Sequence, residues 1–424
     1  MNEVYFMNPI SYLRKNGLKH ALKVVYQYKI DKVIIALLKP FLKNKPLQNI
    51  IIIESHNDFD CNGGSFYQFL VSKGYNKKYK IVWLIKHMEN IPLDLPFNVE
   101  CVPSYRPSLK KCYYKLVSKY LSFDQDCEQK LRKDQISLFM NHGTVGLKDC
   151  TGLIILPKNL NYCLTASEWW LPIDAKMLLM QANDERLKIC GFPIHDVFYN
   201  KVEGDLKKLK LQTCYDKVVL WMPTFRQSER RNDSELNYEI GIPLIKDIKE
   251  FDEINNFLRD LGIVLIIKIH PKQSLSSLKI GNRSNIIVLT GFDVKKLKID
   301  NYRLMKDVDA MISDYSSAAY DFLHVNKPIA YDFSDIDSYK LGIVVKDPME
   351  MIAGHIIKSI NDMKQFLYDI SNNRDVYYCE RQELSNKVFK YHDGNNSKRV
   401  ADLLGLDMEQ SIKYGNNENT YLNN

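Results

Sequence analysis

Residues 263–271 read Ile263-Val264-Leu265-Ile266-Ile267-Lys268-Ile269-His270-Pro271. Five aliphatic residues in succession leave no side for water. A run this short and this uniform describes a strand covered on both faces, as in a parallel sheet. It ends on a cation and an imidazole, and Pro271 biases His270 towards an extended backbone. The pattern is a buried strand that delivers polar groups at its carboxyl end.

Read outward from there, the pattern repeats. Strand-like runs are expected at Asn49–Glu54, Lys80–Ile85, Val99–Val102, Lys119–Phe123, Ile136–Met140, Tyr162–Ala166 and Leu187–Cys190. After a Lys-rich break over Asn200–Leu211 they resume at Lys217–Met222, Ile263–Ile269, Asn285–Leu289, Ala310–Ser313 and Pro328–Tyr331. Helical stretches separate them. The chain therefore reads as α/β, with two Rossmann-like parallel-sheet domains facing a cleft. The expected limits are 1–46 for an N-terminal segment, 47–200 and 201–405 for the two domains, and 406–424 for a polar tail.

In open α/β sheets ligands sit beyond the carboxyl ends of the strands. The residues standing there are Glu54-Ser55-His56, Asn141-His142-Gly143-Thr144, Gly191-Phe192-Pro193, Pro223-Thr224-Phe225-Arg226, Lys268-Ile269-His270-Pro271 and Ser313-Asp314-Tyr315-Ser316-Ser317. Small, polar and basic groups at successive exits suit an anionic ligand. The Ser313–Ser317 stretch leads into an expected helix at Ala318–His324; its hydroxyls either cap that helix or meet phosphate oxygens. His142 and His270 occupy matching places in the two halves, which suits proton abstraction on one side and charge stabilisation on the other. Singly, His142 also reads as part of an ordinary turn and His270 as a structural strand-end histidine. Arg226 adds a two-pronged donor for phosphate, and Gly143 with Thr144 permits close backbone approach. Asp58-Phe59-Asp60 is read as a loop. No H-E-x-x-H, Walker or G-x-S-x-G motif occurs, so no metal site or hydrolase is indicated.

Charge narrows the partners. The net charge of +8 is concentrated as +7 in residues 1–49, so the body lacks the basic surface that nucleic acid requires. The basic segment is amphipathic: Ile10, Leu13, Leu18, Ala21, Leu22 and Val25, then Ile30, Val33, Ile34, Leu37, Leu38 and Phe41, recur at helical spacing among lysines. It suits an anionic membrane surface, or alternatively a solvated helical hairpin packed on the domain behind it. The nine cysteines form no C-x-x-C pair and read as reduced thiols in a cytosolic protein.

Taken together and in order, these residues resemble the CDP-glycerol glycerophosphotransferase family. The resemblance rests on His142-Gly143-Thr144, Gly191-Phe192-Pro193 with Asp196, Pro223-Thr224-Phe225-Arg226, His270-Pro271, Ser313–Ser317 with Asp321-Phe322, and Asp393-Gly394-Asn395 with Ser397 and Arg399. The chain departs from the family pattern at Val145-Gly146-Leu147-Lys148 and at Tyr339-Lys340-Leu341-Gly342. The resemblance implies a GT-B-like fold and transfer of a polyol phosphate, glycerol phosphate first, from a CDP-polyol to a lipid-linked saccharide or growing polymer. It implies a peripheral enzyme at the cytoplasmic face of the membrane. His142 and His270 would be catalytic; Arg226, Lys268, Ser313, Asp314, Ser316 and Ser317 would hold the donor; Gly143, Thr144, Asn62 and Asp196 would support the acceptor side. No cofactor is indicated, and a divalent-cation requirement is left open. The competing readings are a glycosyltransferase using a CMP-sugar such as CMP-sialic acid, and a non-catalytic membrane scaffold.

Overall fold

A computed structural model describes residues 17, 19, 26, 30–224, 240–270 and 278–407. Thirteen strands fall in two sheets among these residues. The first contains β1 (Gln48–Glu54), β2 (Lys80–Ile85), β3 (Val99–Pro103), β4 (Ser118–Phe123), β5 (Ile136–Phe139), β6 (Tyr162–Thr165) and β7 (Leu187–Ile189), in the order β3-β2-β1-β4-β5-β6-β7. The second contains β8 (Lys217–Trp221), β9 (Ile263–Lys268), β10 (Ile286–Leu289), β11 (Ala310–Ser313), β12 (Ile329–Asp332) and β13 (His355–Ile357), in the order β10-β9-β8-β11-β12-β13. Neighbours pair in parallel throughout, with Ile51 opposite Ile81 in the first sheet and Val219 opposite Leu265 in the second.

The aliphatic runs explain this arrangement. Ile51, Ile52 and Ile53 of β1, and Leu265, Ile266 and Ile267 of β9, are fully buried, because helices cover both faces of each sheet. Burying one such side chain contributes roughly 1.5–3 kcal/mol. In both sheets the strand order reverses beside the first strand, between β1 and β4 and between β8 and β11. A crevice opens at such a reversal. The two crevices hold the exits Glu54–His56 with Asp124–Gln125, and Met222–Thr224 with Ser313–Ser317.

At the N-terminal side, helix α1 (Ile30–Leu42) lies on helix α3 (Leu109–Val117), with α2 (Cys61–Ser72) between them in sequence. Asp31 is buried against α3: it pairs with Lys111 Nζ at 2.5 Å and accepts from Ser108 N at 3.2 Å. Leu42 is buried and Ile35 and Leu38 half-buried on the same side. Val33, Leu37 and Phe41 point the other way and are exposed.

The break between the halves is polar, as its composition predicts, yet Asp205 within it is fully buried and accepts from Asp300 N at 2.7 Å. Helix α4 (Ser317–Asp321) follows β11, and helix α5 (Asn396–Leu403) crosses back to the first half. The Asp196 carboxylate accepts from the backbone N–H of Asn396 and of Ser397, both at 2.8 Å. Gly191 makes this crossing feasible: its φ is +69° and a Cβ there would meet Asn396 Oδ1 at 2.4 Å.

Candidate functional site

Between β5 and the loop that follows, the chain turns sharply at Asn141, whose φ is +62°. Its side chain accepts from His142 N at 2.9 Å and from Gly143 N at 3.3 Å, a local turn that asparagine favours. Asn62, 1% exposed at the start of α2, donates through Nδ2 to the carbonyls of Met140 and Asn141 at 3.2 and 2.8 Å. Its Oδ1 accepts from Ile194 N at 3.1 Å. Asn62 is thus a brace beneath the His142 turn. The His142 ring is exposed and stacks on His56, centroid to centroid 4.8 Å and 12° from parallel. His56 in turn hydrogen-bonds to the side chain of Gln125.

Beneath these rings lies a charged knot. Glu54 is 1% exposed, pairs with Lys86 Nζ at 2.5 Å and accepts from the backbone of Asp124, Gln125 and Asp126. Burial raises its carboxyl, with Lys86 opposing. Asp58 accepts from Lys86 N, His87 N and Asn90 Nδ2 at 2.8–3.0 Å, so Asp58-Phe59-Asp60 is a loop tied down by hydrogen bonds, as read.

The loop after His142 leaves its own half. Thr144 donates its hydroxyl to Asp321 of α4. Leu147 O accepts from Val344 N at 2.9 Å, Asp149 N donates to Gly342 O at 3.1 Å, and Lys148 bridges antiparallel to Ile343. Residues 147–149 and 342–344 therefore meet across the halves. Gly143 has nothing within 4 Å of where a Cβ would stand, whereas a Cβ at Gly146 would lie 3.2 Å from Ser317 N. The close approach expected at Gly143 occurs at Gly146, and the space beside Gly143 stays open.

On the second half, the expected donor residues divide. Ser313 is fully buried and donates to Met222 O at 3.2 Å. Asp314 is fully buried; it accepts from Thr224 N at 2.7 Å, from the Thr224 hydroxyl and from Ser316 N at 3.3 Å. These two side chains knit the β8 and β11 exits together instead of facing the cleft. Ser316 caps α4 by accepting from Ala318 N at 3.3 Å, and Ser316 and Ser317 stay half-exposed. The helix itself is shorter than Ala318–His324: after Asp321 the chain tightens into a 3₁₀ turn over Phe322–Val325. Asp196 serves the interdomain crossing described above.

Lys268 stands at the end of β9 and is 8% exposed, with no acidic side chain paired to it among the described residues. Burial lowers its ammonium pKa to about 8; the thiol of Cys61, across the cleft at the start of α2, is the electrostatic partner that opposes this. His270 follows two residues later and is half-buried. Arg226 and Pro271 lie outside the described residues. No group of three or more His, Cys, Asp or Glu side chains suited to a metal ion occurs among the described residues.

Composition and spacing gave no sign of one further cluster. Asp321, His195, His324, Tyr199 and Tyr302 form a continuous polar chain inside the molecule. The only hint of it in the sequence is that Asp321 follows the Ser313–Ser317 motif and His195 lies between Pro193 and Asp196.

Known proteins place this geometry. The family model described as CDP-Glycerol:Poly(glycerophosphate) glycerophosphotransferase matches residues 35–405. The teichoic acid poly(glycerol phosphate) polymerase of Staphylococcus epidermidis is 21% identical over 54% of this chain and 31% of its own length. The teichoic acid ribitol-phosphate primase of Bacillus spizizenii is 22% identical over 60% of this chain and 62% of its own. The teichoic acid glycerol-phosphate primase of Bacillus subtilis is 25% identical over 52% and 51%. The chain thus spans roughly a third to two thirds of the curated relatives it matches. Among solved structures, the wall teichoic acid polymerase TagF soaked with CDPG superposes with a TM-score of 0.65 at 20% identity, over 94% of this chain and 98% of that one. That likeness supports the GT-B-like arrangement of two Rossmann-like halves.

Proposed function

The chain belongs to the CDP-glycerol:poly(glycerophosphate) glycerophosphotransferase family, and from that premise we propose that it transfers a polyol phosphate, glycerol phosphate first, from a CDP-polyol to a hydroxyl of a lipid-linked saccharide or growing teichoic-acid-like polymer. His142 takes the proton of the acceptor hydroxyl. The acceptor oxygen forms a new bond to the β-phosphorus, the bond from that phosphorus to the bridging oxygen breaks, and CMP leaves. The chemistry is positioning plus charge neutralisation. Lys268, His270, Ser316 and Ser317 face the donor, and Arg226 is assigned to donor binding from its motif alone; Ser313 and Asp314 hold the donor loops in place.

The observation that carries this reading is Lys268. A buried ammonium with no paired carboxylate costs free energy, and an anionic diphosphate entering between the halves supplies the missing charge. Incubation with CDP-glycerol, CDP-ribitol and CMP-sialic acid, with CMP release as the readout, tests the reading. Release from a CDP-polyol supports it. Release from CMP-sialic acid alone would make the chain a glycosyltransferase, and no release from any donor with a lipid-linked acceptor would make it a scaffold.

A lipid-linked acceptor favours a peripheral enzyme at the cytoplasmic face of an anionic membrane. No helix among the described residues is long and apolar enough to cross one. Support comes from α1, which is pinned to the body by Asp31 and Leu42 and turns Val33, Leu37 and Phe41 outward at 60%, 67% and 76% exposure. That stripe beside Lys32, Lys39 and Lys43 matches an interfacial helix. Replacing Val33, Leu37 and Phe41 together by serine is expected to weaken binding to phosphatidylglycerol-containing vesicles at least about 10-fold, with CDP-glycerol affinity unchanged. Vesicle binding that survives would move the contact elsewhere.

A further inference from the structure

Asp321 is 1% exposed and lies where the halves meet. Three donors converge on it: the Thr144 hydroxyl from the first half, His195 Nε2 at 2.7 Å, and the Tyr302 hydroxyl at 3.1 Å. No lysine or arginine pairs with it among the described residues. Behind His195 the chain continues, with His324 Nε2 3.0 Å from His195 Nδ1 and the Tyr199 hydroxyl 2.7 Å from His324 Nδ1.

A carboxylate only accepts, so His195 Nε2–H is the donor in its bond to Asp321. With His195 neutral, its Nδ1 accepts from His324 Nε2–H. His324 Nδ1 then accepts from the Tyr199 hydroxyl. Burial, with His195 and His392 alongside, pushes His324 well below the usual histidine range and keeps it neutral. The hydrogen bonds orient each imidazole, and the chain has no slack: Phe198 and Phe389 pack against His324 at 5.6 and 4.3 Å between ring centroids. Such a satisfied polar network in a low-dielectric interior is rigid and intolerant of a missing member.

What this network holds is the turn that carries His142. Thr144 is two residues from His142 and is fastened to Asp321, while Asn62 fastens the other side of the same turn through Met140 O and Asn141 O. Asp321 also ends the short helix that begins at Ser317, against which Gly146 closes. One carboxylate therefore touches both the loop of the acceptor-side base and the helix of the donor-side serines.

We propose that Asp321, oriented by His195 and His324, is a positioning residue that sets where His142 stands relative to the donor, acting through the Thr144 hydroxyl. This rests on the reading of His142 as the acceptor-side base. A misplacement on the order of 1 Å costs about 100-fold in rate, so loss of one anchor out of two should be visible in kcat.

Thr144→Val removes the hydroxyl with little change of shape. It is expected to lower kcat for CMP release about 10- to 100-fold, with the dissociation constant for CDP-glycerol within about 2-fold of the parent. Thr144→Ser should restore most of the rate. Asp321→Asn in the Thr144→Val background should cost little more, because the link is already cut. An arm that does not depend on turnover follows the His142 ring by NMR of histidine-labelled full-length protein, assigned with His142→Ala: Thr144→Val should shift or broaden that signal and Thr144→Ser should not. Should the parent release no CMP from any donor, the reaction reading fails and the NMR arm alone decides. A Thr144→Val variant with parental kcat, or with an unmoved His142 signal, overturns the positioning role.

Discussion

His142→Ala is expected to reduce turnover by a factor of about 10² or more while CDP-glycerol still binds, since a positioned general base contributes about 10²–10⁴. The imidazole is exposed and projects from a turn whose fold is maintained by others: Asn62 beneath it, the Asn141 side chain within it and Thr144 behind it. Truncating it removes ring stacking on His56 and leaves the Asn62, Asn141 and Thr144 hydrogen bonds that hold the turn, so stability should change by about 1 kcal/mol or less. Loss of activity then reports chemistry and not unfolding. On the proposed reading the donor is held by the second half, through Lys268 and His270 at and beyond the end of β9, so isothermal titration with CDP-glycerol should give nearly the parental value. His270→Ala should differ, weakening donor binding as well as turnover. Full CMP release by His142→Ala would remove this residue from the reaction and with it the carried-over mechanism.

The sheets were legible because aliphatic runs of strand length have one good solution in water. Twelve of the thirteen strands lie within a residue or two of the expected runs. The exception, His355–Ile357, is three residues long and opens on a histidine, too short for any periodicity to show. The site was half legible. Residue order put His142, Lys268 and His270 at or just beyond the carboxyl ends of their strands, which are β5 and β9, because an exit position is a property of sequence. It could not say which polar side chains turn inward. Ser313 and Asp314 look as available as Ser316 and Ser317, and only the approach of Thr224 and Met222 from β8 shows that the former pair is consumed. Likewise Gly143 and Gly146 are indistinguishable in sequence. The tight one is decided by Ser317, far along the chain. The chain Asp321–His195–His324–Tyr199 joins residues separated by more than 100 positions, and single histidines carry no periodic signal.

Lys268→Met should do two opposite things, and their conjunction is what identifies an anion site. In the free protein the ammonium is buried without a paired carboxylate among the described residues, and its pKa is lowered to about 8. An unfolded lysine titrates near 10.4. The unfolded chain therefore binds the proton more tightly, and stability is lost as pH falls from about 10 towards 8, by roughly 3 kcal/mol in order of magnitude at 1.36 kcal/mol per unit. Replacing the ammonium by a thioether of similar length removes that cost, so the ligand-free variant should melt at higher temperature at pH 7. The same substitution removes a charge-assisted contact to the diphosphate, worth about 1.5–3 kcal/mol, and should weaken CDP-glycerol binding at least about 10-fold. The parent has a further signature. Below pH 8 Lys268 is already charged and affinity should be nearly flat; above it the ligand must bring a proton with it. Affinity should then fall towards 10-fold per unit, and titration in buffers of different ionisation enthalpy at pH 8.5 should register proton uptake. Lys268→Met should show neither the fall nor the uptake. A variant that binds CDP-glycerol as the parent does, with the same pH dependence, would mean that Lys268 meets no phosphate and that its burial without a partner has a purely structural cause. A variant that is weaker in binding and less stable as well would mean that the side chain supports the cleft instead of waiting for charge. Only the combination of a more stable free protein and a weaker, pH-independent complex fits an ammonium held ready for the donor diphosphate.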